Sequence, residues 1–308
     1  MIGPEEAVEA LNETYGRHPG YRALHAKGKL YQATFAPTVE AARLTRAAHM
    51  QGPQVDATVR FSNGSGNPGV PDNVRDVRGM AVTFHLPDGS RTDISAQSVP
   101  RFPVTTPEAF MDLIRATARG AGRLWRLPMF LVRHPRAVPT LAVNAQALRP
   151  PTSYAAILYY GVHAFRWTGS GGVSRYVRYR WEPEETEPRL ALLETRRRGR
   201  NYLQEELAER VRRGPVQFSL MLQLAGEGDS VDDPAAAWPD EREAVIAGTL
   251  KITGQAAWQE TNGVLVFDPA RLTDGIELSD DPVLRFRPRA YSVSAERRAS
   301  ERGAAGSA

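Results

Sequence analysis

Apolar residues Ala7, Val8 and Leu11 recur at helical spacing after Pro4 and two acidic residues, so the pattern predicts a short helix over residues 4–15. A second helix is expected from just after Pro37 to about Met50, with Gly52-Pro53 as its stop signal. Between them, residues 21–28 show no helical period and read as a loop entering a strand. From residue 54 the period changes to two. Val55, Ala57, Val59 and Phe61 alternate with Asp56, Thr58, Arg60 and Ser62, as in a half-buried strand. Two more strands are expected over 78–86 and 91–96, joined by the turn Pro87-Asp88-Gly89-Ser90. Residues 107–147 are helical in pattern, with breaks expected at Gly120, Gly122, Pro128, Pro135 and Pro139. Strands resume at 162–168 and 173–181 across Gly169-Ser170-Gly171-Gly172. A helix near 201–212 then precedes strands at 215–224 and 245–253.

Seven or eight strands, mostly hairpin-connected, with helices inserted in blocks, argue for an α+β chain built on an antiparallel barrel and against a doubly wound parallel sheet. The 308 residues, 42% hydrophobic and 24% charged, are enough for a large core and exclude wholesale disorder. One domain over residues 1–300 is expected, with no internal repeat; the small, polar residues 301–308 are expected to fray.

Composition narrows the chemistry. The chain has no cysteine, which excludes disulfides, zinc–cysteine sites, iron–sulfur clusters and thiol nucleophiles. Its net charge is only +4, carried almost wholly by arginine, since lysine occurs only at Lys27, Lys29 and Lys251. The densest basic cluster, Arg196-Arg197-Arg198-Gly199-Arg200, lacks interleaved aromatics and reads as a solvated turn, so a nucleic-acid partner is not expected. No apolar run is long enough to span a membrane. The first sixteen residues carry four acids and no basic stretch, unlike a secretory signal, so the chain reads as cytoplasmic.

Six histidines, none in an HxxxH or HExxH pair, give no local zinc site, and neither GxSxG nor a phosphate-binding loop is present. The glycine-rich run from Asn63 to Gly69 lacks a phosphate-binding lysine and reads as a loop. His25 lies in a loop, three residues after Arg22. Ser62 and Asn63, at a strand end, are candidates to orient its ring; a lone histidine is more often an ordinary surface or core residue. Arg287 and Tyr291 are one helical turn apart, so the guanidinium can reach the phenol oxygen and stabilise negative charge there. A partly buried tyrosine beside a surface arginine is the plain alternative.

Taken together, these segments resemble the haem catalase family, in particular its short members, the catalase-related peroxidases. Arg22-Ala23-Leu24-His25-Ala26-Lys27-Gly28 is similar to the family's distal-histidine motif. Val59-Arg60-Phe61-Ser62 and Arg75-Asp76-Val77-Arg78-Gly79-Met80-Ala81-Val82 resemble its barrel-strand signature. Phe267-Asp268-Pro269 through Arg287-Pro288-Arg289-Ala290-Tyr291 resembles its proximal segment. The resemblance runs from about residue 20 to 300, in the family's order. It implies an eight-stranded antiparallel barrel with helices outside and a haem b cofactor with Tyr291 as the axial ligand, supported by Arg287. It further implies His25 as the distal acid–base group, Ser62 holding the imidazole, and Arg22, Arg60 and Arg298 pairing with the haem propionates. Phe61 and Phe110 fall at positions that line the haem pocket in the family.

Two departures from the family pattern matter. The distal asparagine of full catalases is replaced within Asp93-Ile94-Ser95-Ala96-Gln97-Ser98 by Gln97, and the chain stops soon after the tyrosine segment. The regions that build larger catalases are missing, so a monomer or homodimer without tightly bound NADPH is expected. The function implied is reduction of hydrogen peroxide or organic hydroperoxides by small organic electron donors, with weak catalase activity. Competing readings are a haem enzyme rearranging lipid hydroperoxides, a non-catalytic haem-binding protein, and a barrel for apolar ligands.

Overall fold

In the computed structural model, which describes residues 2–118, 120, 122–260 and 263–306, the residues of period two form strands and those of helical period form helices. In chain order these are α1 (Pro4–Tyr15), β1 (Gly28–Pro37), α2 (Val39–Leu44), β2 (Val55–Asn63), β3 (Arg78–His85) and β4 (Arg91–Gln97). Next come α3 (Pro107–Thr117), α4 (Arg123–Arg133), α5 (Ala137–Ala147), β5 (Tyr159–Thr168), β6 (Ser174–Pro183), α6 (Leu192–Arg197) and α7 (Tyr202–Arg213). The chain finishes with β7 (Val216–Leu224), β8 (Ala244–Gln255), β9 (Ile276–Leu278) and α8 (Pro282–Gly306).

Strands β1 to β8 form a closed antiparallel ring. β1 pairs with both β2 and β8, and a pairing of Gln97 with Tyr160 joins β4 to β5. β9 adds to β5 beside Phe165–Trp167, a flank to the eight-stranded barrel. Closure leaves these strands without a free edge. One face of each strand fills the interior with Tyr31, Phe35, Phe61, Phe84, Trp181 and Phe218. Phe35 meets Phe84 edge-on, with ring centroids 5.0 Å apart, an arrangement that suits the ring quadrupoles.

The opposite face of the first strands carries the polar row. Gly28, Ser62, Gly79, Gln97 and Tyr160 are partners in register across five consecutive strands. Because side chains alternate faces, Arg60 and Ser62 point away from the core that holds Val59 and Phe61. Helices α1, α3 and α8 pack together beside this row, joined by Ala7, Leu11, Met111, Ile114 and Phe286.

Several sequence expectations are corrected here. The helix expected up to Met50 stops at Leu44, and Thr45 is extended. Long-range hydrogen bonds explain the break: Arg46 N–H donates to the Thr168 carbonyl and Thr45 Oγ to the Gly275 carbonyl. Pro128 and Pro139 lie inside α4 and α5 rather than ending them. Pro139 sits in the first turn, where no intrahelical N–H bond is lost. Arg196 and Arg197 end the short helix α6 instead of lying in a turn, and both are exposed. α8 continues through residues 301–306 of the expected tail; residues 307–308 lie outside the described residues.

Candidate active site

His25 has a φ of +55°, the only non-glycine residue with positive φ among those described. That backbone is costly for a residue with a Cβ, and it is held from several directions. The His25 N–H donates to the Gly64 carbonyl and the Ala26 N–H to the Ser65 carbonyl, both at 3.0 Å. Arg60 Nη2 donates to the His25 carbonyl at 2.8 Å. The ring is fixed by Nδ1, 3.0 Å from Ser62 Oγ. Beneath the pair lies Gly79, where a Cβ would fall 2.7 Å from both His25 Nδ1 and Ser62 Oγ. Burial, then the positive charges of Arg60, Arg287 and Arg22, push the His25 pKa down to about 3. The imidazole is therefore neutral near pH 7, with Nε2 left to face the cavity. Gln97, beside Gly79 on the next strand, has a buried Nε2 with no hydrogen-bond partner.

On α8, Tyr291 Oη accepts from Arg287 Nε at 3.0 Å and from Nη2 at 2.5 Å. The i, i+4 spacing brings the two side chains together on one helix face. Arg287 Nη1 is 2.9 Å from His163 Nε2, and His163 Nδ1 is 2.6 Å from Asp281 Oδ2. A guanidinium only donates, so Nε2 must accept and Nδ1 must carry the proton toward Asp281. Burial lowers the His163 pKa despite Asp281, in keeping with that neutral tautomer. Asp281 also accepts the Val283 and Leu284 N–H groups, fixing the start of α8. His163 and Asp281 were not singled out from sequence. The only hint was a histidine between the apolar residues Val162 and Ala164 of a strand.

Arg22, Arg60 and Arg298 do converge. All three meet Glu260, a further residue missed from sequence. Burial alone would raise the Glu260 pKa, but the Arg60 and Arg22 charges outweigh it and hold it at about 2. Phe110 lines the cavity and lies against Phe102 at 5.0 Å. Phe61 does not: it faces the barrel interior, stacked on Tyr154 at 5.6 Å, so its expected place in the pocket is corrected to a core position. Strand alternation accounts for this, since its neighbours Arg60 and Ser62 take the site-facing side.

His25, Ser62, Gln97, Arg22, Arg60, Phe110, Arg287, Tyr291 and Arg298 line one cavity of about 1090 Å³. That is at the large end for a ligand pocket. Much of its wall is apolar, with Val8, Leu11, Leu113, Ile114, Leu141 and Leu148.

Known proteins are similar to this chain over most of its length. It is 47% identical to the "Catalase-related peroxidase" of Mycolicibacterium paratuberculosis, covering 98% of this chain and 97% of that one. It is 33% identical to the "Catalase-related peroxidase" of Synechococcus elongatus, covering 96% and 89%. Against "Catalase-2" of Bacillus subtilis, at 28% identity, it spans only 43% of the longer protein. The crystal structure of a fungal catalase superposes on 97% of this chain and 63% of its own, with a TM-score of 0.82 at 22% identity, which establishes the shared fold. The sequence profile of the catalase family matches residues 9–303, and the chain belongs to that family.

Proposed function

We propose that this protein is a haem-dependent peroxidase that reduces hydrogen peroxide or organic hydroperoxides with small organic electron donors and dismutates hydrogen peroxide only weakly. The observation that carries this reading is one cavity shared by a neutral, hydrogen-bonded imidazole and an arginine-held phenol oxygen. Mere binding of an apolar ligand calls for neither. The donor set fits a haem: Tyr291 Oη would supply an oxygen ligand to its iron, and Arg22, Arg60 and Arg298 would supply guanidinium forks for its propionates. The unpartnered Gln97 Nε2 offers a hydrogen bond to a ligand in the cavity.

A bound haem would supply the redox chemistry, two electrons and uptake of the remaining peroxide oxygen. The chain's own groups handle protons and position. His25 Nε2 would accept the proton of one peroxide oxygen and return it to the other, so that water leaves from hydrogen peroxide or an alcohol from an organic hydroperoxide. The lowered pKa keeps the ring neutral at pH 7, with a lone pair free to accept a proton. Ser62 supports the ring through Nδ1, and Gly79 leaves the space in which the two meet. Arg287 places two N–H groups on the Tyr291 oxygen and is itself oriented by His163 and Asp281. The apolar walls favour organic donors and hydroperoxides as partners.

The test compares oxygen release from hydrogen peroxide with oxidation of a chromogenic phenol on one haem-loaded preparation. Donor oxidation should dominate. Oxygen evolution at the rate of a full-length catalase with negligible donor oxidation would overturn the reading.

A further inference from the structure

Glu260 holds the guanidiniums that the haem reading assigns to the propionates. Its Oε1 accepts from Arg22 Nε at 2.8 Å and from Arg22 Nη2 at 2.5 Å, and its Oε2 accepts from Arg60 Nε at 2.6 Å. Arg298 Nη1 lies 3.7 Å from Oε1. Other groups take further donors of the same arginines: Arg22 Nη2 also donates to the Leu265 carbonyl, and Arg60 Nη2 to the His25 carbonyl. The backbone at Glu260 is anchored separately, its carbonyl accepting from Arg302 Nη2. The carboxylate can therefore swing on its own side-chain torsions while the segment stays in place.

We propose that Glu260 competes with the haem propionates for Arg22 and Arg60 and thereby sets how firmly the protein retains haem. This rests on the haem reading above. The reasoning is one of donors and charge. A propionate seeking a bidentate grip on Arg22 must take N–H groups that Glu260 engages, or settle for the remaining Nη1 edge. If the carboxylate stays, it and the propionates repel across a buried site; if it leaves, its bonds to Arg22 and Arg60 are lost. Either way Glu260 favours the haem-free protein over the haem-bound one. Removing its charge should leave three crowded guanidiniums short of a counter-charge. Burial already lowers the pKa of Arg60 to about 10 and of Arg298 to about 9. A dianionic haem should then be bound more tightly.

The experiment uses the haem-loaded protein and its Glu260→Gln and Glu260→Asp variants, with haem release measured by transfer to excess apomyoglobin. Glu260→Gln should release haem about tenfold more slowly than the parent, the effect of one charge-assisted contact, and Glu260→Asp should stay near the parental rate. Reconstitution with haem dimethyl ester, which lacks the propionate charges, should abolish the difference. Equal or faster release from Glu260→Gln, the same slowing with the diester, or a Glu260→Gln chain that does not fold even with haem would each make Glu260 a structural anchor and overturn the proposal. If the parent itself takes up no haem, the haem reading falls with it; if the parent binds haem and the variants match it, this proposal alone falls.

Discussion

At His25 a backbone conformation that costs on the order of 1–3 kcal/mol is held by hydrogen bonds from Arg60 and to the carbonyls of Gly64 and Ser65. Such local strain is kept where it aims a side chain. Replacing His25 with alanine should leave haem binding intact and slow the reaction with hydrogen peroxide by about 10²–10⁴-fold, as for loss of a positioned acid–base group; stopped-flow absorbance at the Soret band reads this directly. Gly79→Ala should fold yet push the imidazole off Ser62, since the new Cβ would lie 2.7 Å from both. A displacement near 1 Å costs about 10²-fold in a positioned reaction, so peroxide reactivity should fall while haem content holds. The buried histidines also predict the pH dependence of stability. His25 and His49 each have pKa values lowered from 6.5 to about 3 by burial. Between those limits the unfolded chain binds protons that the native protein refuses, so stability falls as pH drops below about 6.5, by up to about 1.4 kcal/mol per pH unit for each group. Asp93, raised to about 6 from 3.8 by burial, works in the opposite sense between those two values. His49, whose Nδ1 has no partner and whose ring lies 4.8 Å from Phe84, takes no part in the site. His49→Phe should therefore flatten the fall in Tm on acidification without altering peroxide reactivity; an unchanged slope would remove His49 from the account.

Elements explain which parts of the site could be read from sequence. Arg287 and Tyr291 were legible because one helix fixes their spacing, and Ser62 because strand alternation fixes its face. His163 and Asp281 were not. They lie 118 residues apart, and β5 must close on the start of α8 before Nδ1 and Oδ2 meet. Glu260 escaped for the same reason, its arginine partners being contributed by β2, α8 and the loop before β1. The broken helix at Thr45 is the fold-level counterpart: local pattern favoured continuation, and contacts with Thr168 and Gly275 overrode it. β1 and β9 were not delimited at all, β1 because its run opens inside an aperiodic loop and β9 because three residues are too few to show a period. Asp281 has two tasks in α8, which can be separated. Asp281→Asn keeps an oxygen for the Val283 and Leu284 N–H groups but offers His163 Nδ1–H an amide nitrogen that cannot accept. The variant should stay folded, lose about 1–3 kcal/mol for the unsatisfied buried donor, and shift the absorption spectrum of the haem-loaded protein. An identical spectrum would mean that His163 and Asp281 do not act through Arg287.

Across the whole molecule, a closed barrel places Gly28, Ser62, Gly79 and Gln97 in one row, and three helices roof the cavity beside it. This core spans less than half the length of the Bacillus subtilis catalase, and the resemblance to full catalases also points to substitutions within it. Gln97 is the clearest, its amide standing one methylene farther from the backbone than an asparagine's. Gln97→Asn should raise oxygen release relative to phenol oxidation; a ratio unchanged in that variant would remove Gln97 from the explanation. No helix among the described residues is long and apolar enough to cross a membrane. In the proposed function, one cavity holds a haem between the arginine-held oxygen of Tyr291 and the neutral ring of His25. The most direct test is the ultraviolet–visible spectrum of the haem-loaded protein beside its Tyr291→Phe variant. The account predicts a high-spin ferric, tyrosinate-type spectrum in the parent that is lost in the variant, because phenylalanine offers no oxygen; the same spectrum in both would contradict it.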